Sequence, residues 1–299
     1  MVNTIIRSEK IKSFCPMSSD FKSPFAVFEN EEIIVNPVKQ PSHAFPLRDI
    51  DKILVDLCNT YLLLTSEIAF TALLNLGVDI TKKDVQSRLK SLTDAEYLTQ
   101  MEFRTQNGCS SAKYYKLGRR GAGFLMGTEN KRVNKSLYLS GLDATSVKKV
   151  LSTLQYIVRT DTPVENICMA EPCFVPNKDP NKRANKIFRS QCVIQNKSGT
   201  IFVESVRRNK GYLREFIDKL ERINSVVSSP RKNIKCYYPE LVVIAEDQKH
   251  MAAIAKAVNK EYLKPPIPIK YTCDRDVYND PSHCLVSFVE QSFFDFLFP

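Results

Sequence analysis

Apolar positions from residue 65 onward follow a helical period in two successive stretches. The first predicted helix begins at Thr65 or Ser66, whose hydroxyl can cap it, and stops at Gly77. Its apolar stripe consists of Ile68, Ala69, Ala72, Leu73 and Leu76. In the second helix Thr81 supplies the capping oxygen and Asp84 the acid of the first turn. Its apolar stripe consists of Val85, Leu89 and Leu92.

The opposite face of the second helix is polar and mostly basic. It carries Lys82, Lys83, Gln86, Ser87 and Lys90. Lysines bind phosphates, and amide or hydroxyl side chains can hydrogen-bond to base edges. The sequence therefore predicts a helix that could lie in the major groove of DNA.

A hairpin is predicted directly after this helix. Its first strand alternates, with Tyr97, Thr99, Met101 and Phe103 on one parity. Asn107-Gly108 is a strong short-range turn signal. Basic residues surround the hairpin, and they are Arg104, Lys113, Lys116, Arg119 and Arg120. Helix and hairpin would both present positive charge to a polyanion.

A further helix is expected before these elements, capped by Asp49. Its predicted buried stripe is Ile53, Leu54, Leu57, Tyr61 and Leu64. The order of helix, helix, helix and hairpin resembles winged-helix DNA-binding domains of bacterial regulators and of plasmid or mobile-element replication and transfer proteins. The resemblance covers about a quarter of the chain and implies binding of double-stranded DNA. The alternative is a winged helix that contacts proteins, with its lysines as a solvated face.

Composition agrees with a nucleic-acid partner. The 299 residues carry a formal net charge of +10, and 43% of them are apolar, which suffices for two domains with buried cores. An excess of positive charge favours nucleic acid ahead of an anionic membrane surface. No apolar run approaches the roughly 20 residues that span a bilayer, and the N-terminus lacks the apolar core of a secretory signal. We therefore expect a cytoplasmic protein, and the resemblance to bacterial regulators and mobile-element proteins implies a bacterial one.

Cysteine and histidine usage argues against disulfides and metal. The nine cysteines include no CxxC pair, which predicts reduced and mostly buried thiols. The three histidines, His43, His250 and His283, lie far apart in the sequence. No cofactor or structural zinc is expected.

From residue 144 the pattern changes to that of a mixed α/β domain. A helix over 146–160 is followed by three extended segments, a helix from residue 212, a strand, a helix and two more extended segments, IPIKYTC and CLVSFV. An apolar strand followed by a helix and another strand predicts a mixed sheet with helices on both faces.

This order resembles the restriction-endonuclease-like fold of PD-(D/E)xK nucleases, paired with a winged helix as in replication-relaxation proteins of plasmids and integrative elements. The resemblance covers about half the chain. In that family an aspartate on the second strand and Glu-x-Lys or Glu-x-Asp on the third hold a divalent metal beside the scissile phosphate. Here Glu204 matches the glutamate, but Val206 stands at the lysine position and Ser190 or Gln191 at the aspartate position.

Two further residues bear on this resemblance. Lys219 lies on the following helix, where some family members relocate their lysine, and Glu165 before the first strand could add an acid. The simpler interpretation of Glu204 is a strand-end charge paired with Arg207 or Arg208. One carboxylate holds Mg²⁺ poorly, so we expect a nuclease-like domain without activity. The enzyme alternative is a Mg²⁺-dependent endonuclease that uses Glu204 as metal ligand, Lys219 and an unlocated acid.

The predicted fold class is α+β/α/β. An N-terminal arm at 1–46 precedes a winged-helix domain at 47–127, a linker at 128–143 and a restriction-endonuclease-like domain at 144–299. The expected function is that of an auxiliary or regulatory DNA-binding factor in replication or transfer of a mobile element. A metal-dependent deoxyribonuclease and a protein-interaction module are the alternatives.

The C-terminus is unusually rich in aromatic side chains. The last seven residues include Phe293, Phe294, Phe296, Leu297 and Phe298. Leaving all of them exposed would create a sticky patch, so we expect this tail to be covered. It either folds back onto the chain or docks on a second copy or a partner protein.

Overall fold

The computed structural model describes residues 23–28, 31–36, 45–104, 110–129, 131, 133, 143–163, 167–170, 172–175, 185–197, 199–229, 238–262, 265 and 267–287. These residues form a mixed α/β structure with eight α-helices, two larger sheets and a two-stranded ribbon. The expectations for the Asn107-Gly108 turn, Glu165, His43 and the C-terminal aromatic tail concern residues outside this set.

The N-terminal half builds the first sheet. Its elements are β1 (Glu32–Val35), α1 (Asp49–Tyr61), β2 (Leu63–Leu64), α2 (Ser66–Asn75), α3 (Lys82–Asp94), β3 (Leu98–Arg104), β4 (Ser110–Leu117) and α4 (Arg119–Gly127). The sheet order is β1-β3-β4-β2, and every pair is antiparallel. The N-terminal arm contributes the short strand β1, which covers one edge of β3.

The two central helices start where the sequence predicted. The Thr65 hydroxyl accepts a hydrogen bond from the Ile68 amide (3.1 Å), and the Thr81 hydroxyl accepts one from the Asp84 amide (3.2 Å). Gly77 follows α2 with a φ of +75°, a conformation that favours glycine. The stripe of α3 is fully buried as expected, whereas Leu76, the last residue of the apolar stripe of α2, is half exposed.

The first helix departs from prediction at both ends. Its N-cap is Arg48 rather than Asp49, and the Asp51 carboxylate accepts a hydrogen bond from the Arg48 amide (2.8 Å). Asp49 is the first residue inside the helix, where an acid still complements the helix dipole. Leu64 is buried, but it belongs to β2 rather than to the helix, because the chain turns at Leu62 with a φ of 71°.

Gly118 and Gly121 allow α4 to close against the end of α3. A Cβ at Gly118 would lie 2.4 Å from the carbonyl oxygen of Glu96, and one at Gly121 would lie 2.3 Å from that of Tyr97. The Gly118 amide donates to the Tyr97 carbonyl (2.8 Å). Only glycine permits so close an approach of two backbones, so α4 is fixed directly beside the start of the hairpin.

The C-terminal half builds the second sheet. Its elements are α5 (Ala144–Arg159), β5 (Ile167–Met169), β6 (Pro172–Val175), β7 (Asn185–Arg189), β8 (Cys192–Asn196), β9 (Gly199–Ser205), α6 (Tyr212–Ser228), β10 (Glu240–Ala245), α7 (Gln248–Glu261), β11 (Ile269–Cys273) and α8 (Asp274–Asn279), followed by a 3-10 turn at Pro281–His283. The sheet order is β11-β10-β9-β8-β5.

This sheet is mixed, as predicted, and helices cover both of its faces. Strands β9, β10 and β11 are parallel, whereas β8 and β5 run antiparallel to their neighbours. Val242 and Ile244 point toward the cluster that includes α5, and Leu241 and Val243 toward the cluster of α6 and α7. Alternate side chains are therefore buried on opposite faces, which explains the unbroken apolar run of β10.

Three details of this half were not anticipated. The three extended segments after α5 form five strands, because each of the first two breaks at a turn and contributes one strand to the β6–β7 ribbon. Helix α8 follows β11 directly. Of the last segment predicted as a strand, Val286 forms an isolated bridge to Tyr271, and the residues after 287 are not described.

The described residues of the N-terminal arm contact both halves. Phe25 is buried, and the ammonium of Lys148 on α5 donates to the Ala26 carbonyl and pairs with Glu31, just before β1. Burial lowers the pKa of Lys148, and the Glu31 carboxylate partly offsets this. One hydrophobic cluster extends from α1, α2 and α3 through α5 to the second sheet.

Cysteine burial agrees with the sequence prediction in the residues described. Cys58, Cys173, Cys192, Cys273 and Cys284 are buried, Cys168 is exposed, and all six are free thiols. Burial raises the pKa of Cys58 and Cys192, so both remain protonated thiols. No helix within the described ranges has both the length and the apolar character that crossing a membrane requires.

Candidate functional site

The polar face of α3 is open to solvent. Lys82, Lys83, Gln86, Ser87 and Lys90 are all exposed. We call these five residues the α3 face. The buried stripe of α3 packs on the core and fixes the orientation of this face relative to α1 and α2.

Arg88 anchors α3 from the side. Its guanidinium donates through Nε to Oδ1 of Asp51 (2.7 Å) and pairs through Nη2 with Oδ2. The Asp51 side chain is fully buried, and the guanidinium also lies 5.2 Å from the ring centroid of Phe45. A two-point contact to a buried carboxylate restrains both helices, so the α3 face is held by a rigid base.

Lys82 differs from the other residues of the α3 face, because it is already in contact with an acid. Its ammonium pairs with Oε2 of Glu67 in the first turn of α2. The other oxygen of Glu67 accepts a hydrogen bond from Arg159 Nη2 at the end of α5 (2.8 Å). The carboxylate of Glu67 thus joins the start of α3 to the C-terminal half of the chain.

The five basic residues of the hairpin region fall into two groups. Lys113 and Arg119 are exposed, and Lys116 is half-buried. Arg104 pairs with Glu102 on its own strand. Arg120 donates to the Ala95 carbonyl (3.0 Å) and lies 4.9 Å from the ring centroid of Tyr97. Arg120 is therefore engaged in holding α4 to the end of α3, which the sequence did not indicate.

Glu204 is buried on β9, and donors surround its carboxylate. Oε1 accepts from the Ser190 hydroxyl (2.9 Å) and from the Gln191 amide (3.2 Å). Oε2 pairs with the Lys219 ammonium on α6 at 2.5 Å. The structure thus brings together Glu204, Lys219 and both residues that occupy the expected aspartate position.

The Gln191 side chain is held independently of Glu204. Its Nε2 donates to the Ser205 carbonyl (3.0 Å), and its Oε1 accepts from the Ser205 amide (2.7 Å). The Thr153 hydroxyl of α5 donates to the same Oε1 (2.9 Å). The Gln191 side chain therefore joins the start of β8 to the end of β9 through the Ser205 backbone, where a backbone-to-backbone pair would otherwise form.

The environment of Glu204 does not fit Mg²⁺. Within the described residues, no three His, Cys, Asp or Glu side chains come together in a possible metal site. An ammonium lies on one oxygen of Glu204, and Lys149 of α5 adds a second cation nearby, its pKa lowered chiefly by burial and opposed by Glu215. Mg²⁺ needs several oxygen ligands, and two lysines beside one buried acid oppose a divalent cation.

The expected pairing of Glu204 with Arg207 or Arg208 was wrong. Arg207 is fully buried and pairs with Asp274 at 2.5 Å. Arg208 makes two hydrogen bonds to Asp247, at 2.5 and 2.8 Å. Both guanidiniums follow the end of β9 at Ser205 and pair with acids just after β11 and β10, whereas Glu204 pairs with Lys219 of α6.

Comparison of the chain with protein-family models, with curated proteins and with solved structures gave no match.

Several residues that shape these sites were missed from sequence. Asp51 lies three residues before Leu54 and Arg88 three residues after Val85, so both fall on the buried side of their helices. The sequence of each helix alone does not show which residue pairs with it. Glu67 was visible as an acid in the first turn of α2, a common helix-stabilising position. Its contacts to Lys82 and Arg159 depend on packing between segments distant in sequence.

Proposed function

We propose that this protein binds double-stranded DNA through the α3 face and the β3–β4 hairpin. It acts as an auxiliary or regulatory factor in replication or transfer of a mobile element. In this proposal residues 47–127 are a winged helix, and the C-terminal half is a restriction-endonuclease-like domain that does not cleave DNA.

The α3 face is the observation that carries the proposal. Cations and hydrogen-bonding side chains share one exposed side of a helix whose other side is fully buried. An α-helix fits the major groove of B-DNA, where lysines reach phosphates and Gln86 or Ser87 can reach base edges. A solvated helix face alone would not require the two-point anchor between Arg88 and Asp51.

The sheet next to α3 supports the same interpretation. β2, between α1 and α2, pairs with β4, and β4 pairs with β3, which follows α3. In this proposal the hairpin is the wing of a winged helix. Lys113 and Arg119, which are exposed, would then contact the DNA backbone.

The topology of the second sheet supports the nuclease-like assignment. Helix α5 precedes the antiparallel strands β5, β8 and β9, then α6 leads to β10, which is parallel to β9. This is the order expected from the resemblance. The Glu204–Lys219 pair favours an origin in such a site, but the ammonium compensates the charge that a metal would otherwise balance.

Binding of a short fluorescent duplex, measured by anisotropy between low and moderate salt, tests the proposal. We expect the affinity to fall with salt, with a log-log slope of about −0.9 for each phosphate bound. Replacing Arg104 and Lys113 should lower affinity with little change in sequence preference, because backbone contacts position a protein without specifying bases. Absence of binding at low salt would refute the proposal and favour a protein-interaction module.

A further inference from the structure

We propose that Glu67 is a positioning residue that limits how strongly the α3 face holds DNA, and that Arg159 of the C-terminal half sets the strength of this limit. The inference rests on the proposed function, because it concerns the affinity of that same surface.

Glu67 bridges two cations from different parts of the chain. Its Oε2 contacts Lys82, the first residue of α3, and its Oε1 contacts Arg159, the last residue of α5. The carboxylate side chain is 29% exposed and that of Lys82 is 52% exposed. The contact therefore lies at the solvent boundary, at the same end of α3 that would approach a phosphate.

A phosphate and Glu67 compete for the same ammonium. While Lys82 holds the Glu67 carboxylate, part of its positive charge is compensated and it attracts DNA less strongly. Binding a phosphate through Lys82 requires this pair to open, which leaves Glu67 to Arg159 alone. Exposed ion pairs contribute up to about 1 kcal/mol, so the competition is large enough to change affinity and small enough to be overcome by DNA.

Contacts from both halves of the chain hold Arg159 in place for this role. The Asn75 side chain of α2 donates to the Val158 carbonyl (2.8 Å), which fixes the end of α5 against α2. The guanidinium of Arg159 lies 4.5 Å from the ring centroid of Tyr278 on α8. Arg159 thus neutralises part of the Glu67 charge from the side away from α3, and the packing of α5 and α8 is coupled to Lys82.

A purely structural role for Glu67 predicts different behaviour. An acid in the first turn of α2 stabilises that helix through its dipole, so its removal would lower the melting temperature and leave the salt dependence of DNA binding unchanged. The proposed role requires instead that the effects of Lys82 and Arg159 on DNA binding depend on Glu67.

The experiment measures duplex affinity and its salt slope in the full chain for Glu67→Gln. The control is Glu221→Gln, an exposed acid of α6 whose change alters net charge equally. We expect Glu67→Gln to tighten binding about two- to fivefold beyond the control. The log-log slope should steepen by up to about 0.9, as Lys82 becomes free to bind one more phosphate.

Double variants supply the decisive comparison. Lys82→Gln should weaken binding more in the Glu67→Gln background than in the wild type. Arg159→Gln should weaken binding in the wild type, by leaving Glu67 uncompensated, and should lose this effect when Glu67 is Gln. A direct contact of Arg159 with DNA would persist in both backgrounds and would overturn the coupling.

The remaining outcomes separate the two proposals. Equal affinities of Glu67→Gln and Glu221→Gln, in a protein whose wild type binds the duplex, overturn the role of Glu67 alone. Absence of duplex binding by wild type and every variant overturns both proposals. Should Glu67→Gln fail to fold, Glu67→Asp replaces it: it keeps the net charge but is too short to contact both cations, and an affinity equal to wild type would overturn the inference.

Discussion

Arg207 and Asp274 form a two-point ion pair in which both side chains are closed to solvent, with 0% and 1% exposure. The Ser205 hydroxyl accepts from Arg207 Nε (2.9 Å), and the Ser152 hydroxyl donates to Asp274 Oδ1 (2.7 Å). The pair therefore joins the end of β9, the start of α8 and the middle of α5 at the carboxyl edge of the parallel strands.

Removing one partner of this pair should destabilise the fold strongly. Asp274→Ala leaves the Arg207 charge buried without compensation, and we expect the free energy of unfolding to fall by about 3–5 kcal/mol in urea denaturation. The combined change Arg207→Met with Asp274→Leu should recover most of the loss, because it removes both charges. Asp56→Ala breaks the surface pair with Lys131 and serves as control, with an expected cost within about 1 kcal/mol. An equal cost for Asp274→Ala and Asp56→Ala would show that the buried pair is not structural.

This ion pair could not be predicted from the sequence, whereas several other features could. The Val85, Leu89 and Leu92 stripe was predictable, because the helical period alone decides which side of α3 is buried. Thr65 and Thr81 were predictable for a similar reason, since capping depends on a few neighbouring residues. The sequence VRR at the end of β9 gives no sign that Arg207 is buried and Arg208 exposed, because their partners come from α8 and α7.

The candidate sites likewise contain residues that the sequence predicted and residues that it did not. Exposure of the α3 face followed from periodicity, and Glu204 with Lys219 followed from a resemblance in element order. The partners Asp51 and Glu67 did not, because each contact crosses between elements whose relative placement the local pattern does not encode.

His250 should make the free energy of unfolding depend on pH in the acidic range. It is buried, its Nδ1 accepts from the Glu246 amide (3.2 Å), and its ring packs edge-on against Tyr212 with 4.7 Å between centroids. Burial, and to a lesser extent the charges of Arg208 and Arg207, lower the pKa of His250 to about 3, while Asp247 opposes them. The folded protein therefore keeps a neutral imidazole at pH values where the unfolded chain binds a proton.

The direction of the pH dependence follows from this difference in protonation between the folded and unfolded chain. The unfolded chain takes up the proton as pH falls below 6.5, so His250 costs stability progressively between pH 6.5 and about 3. Its share of the slope approaches about 1.4 kcal/mol per pH unit. His250→Asn keeps an acceptor for the Glu246 amide, and urea unfolding between pH 6.5 and about 4.5 should become less pH-dependent. His283→Asn, at an exposed site, is the control, and equal pH slopes for His250→Asn and wild type would refute the assignment.

Replacing Glu204 should not change catalytic activity, because we expect the protein not to cleave DNA. Its carboxylate is already neutralised by Lys219, so Mg²⁺ or Mn²⁺ has no site there with several oxygen ligands. Supercoiled and linear DNA incubated with either metal should remain uncut by the wild type and by Glu204→Ala alike. Robust cleavage by the wild type and its loss in Glu204→Ala would establish the nuclease alternative. Glu204→Gln, which keeps the size of the side chain, serves as the folded reference.

The central claim is that the α3 face contacts DNA, and two helices of this chain offer a matched test. Lys83 and Lys90 are the second and ninth residues of α3, and Lys249 and Lys256 occupy the same positions in α7; all four are exposed. The variants Lys83→Glu/Lys90→Glu and Lys249→Glu/Lys256→Glu therefore make the same change in charge at the same helix positions. Duplex affinity is measured across a salt series for both, after melting curves show that they are folded. We predict that the α7 variant binds nearly as wild type, whereas the α3 variant binds more weakly and its log-log slope flattens by about 0.9 for each phosphate that the helix no longer binds. Equal affinities and equal slopes for the two variants would contradict the account.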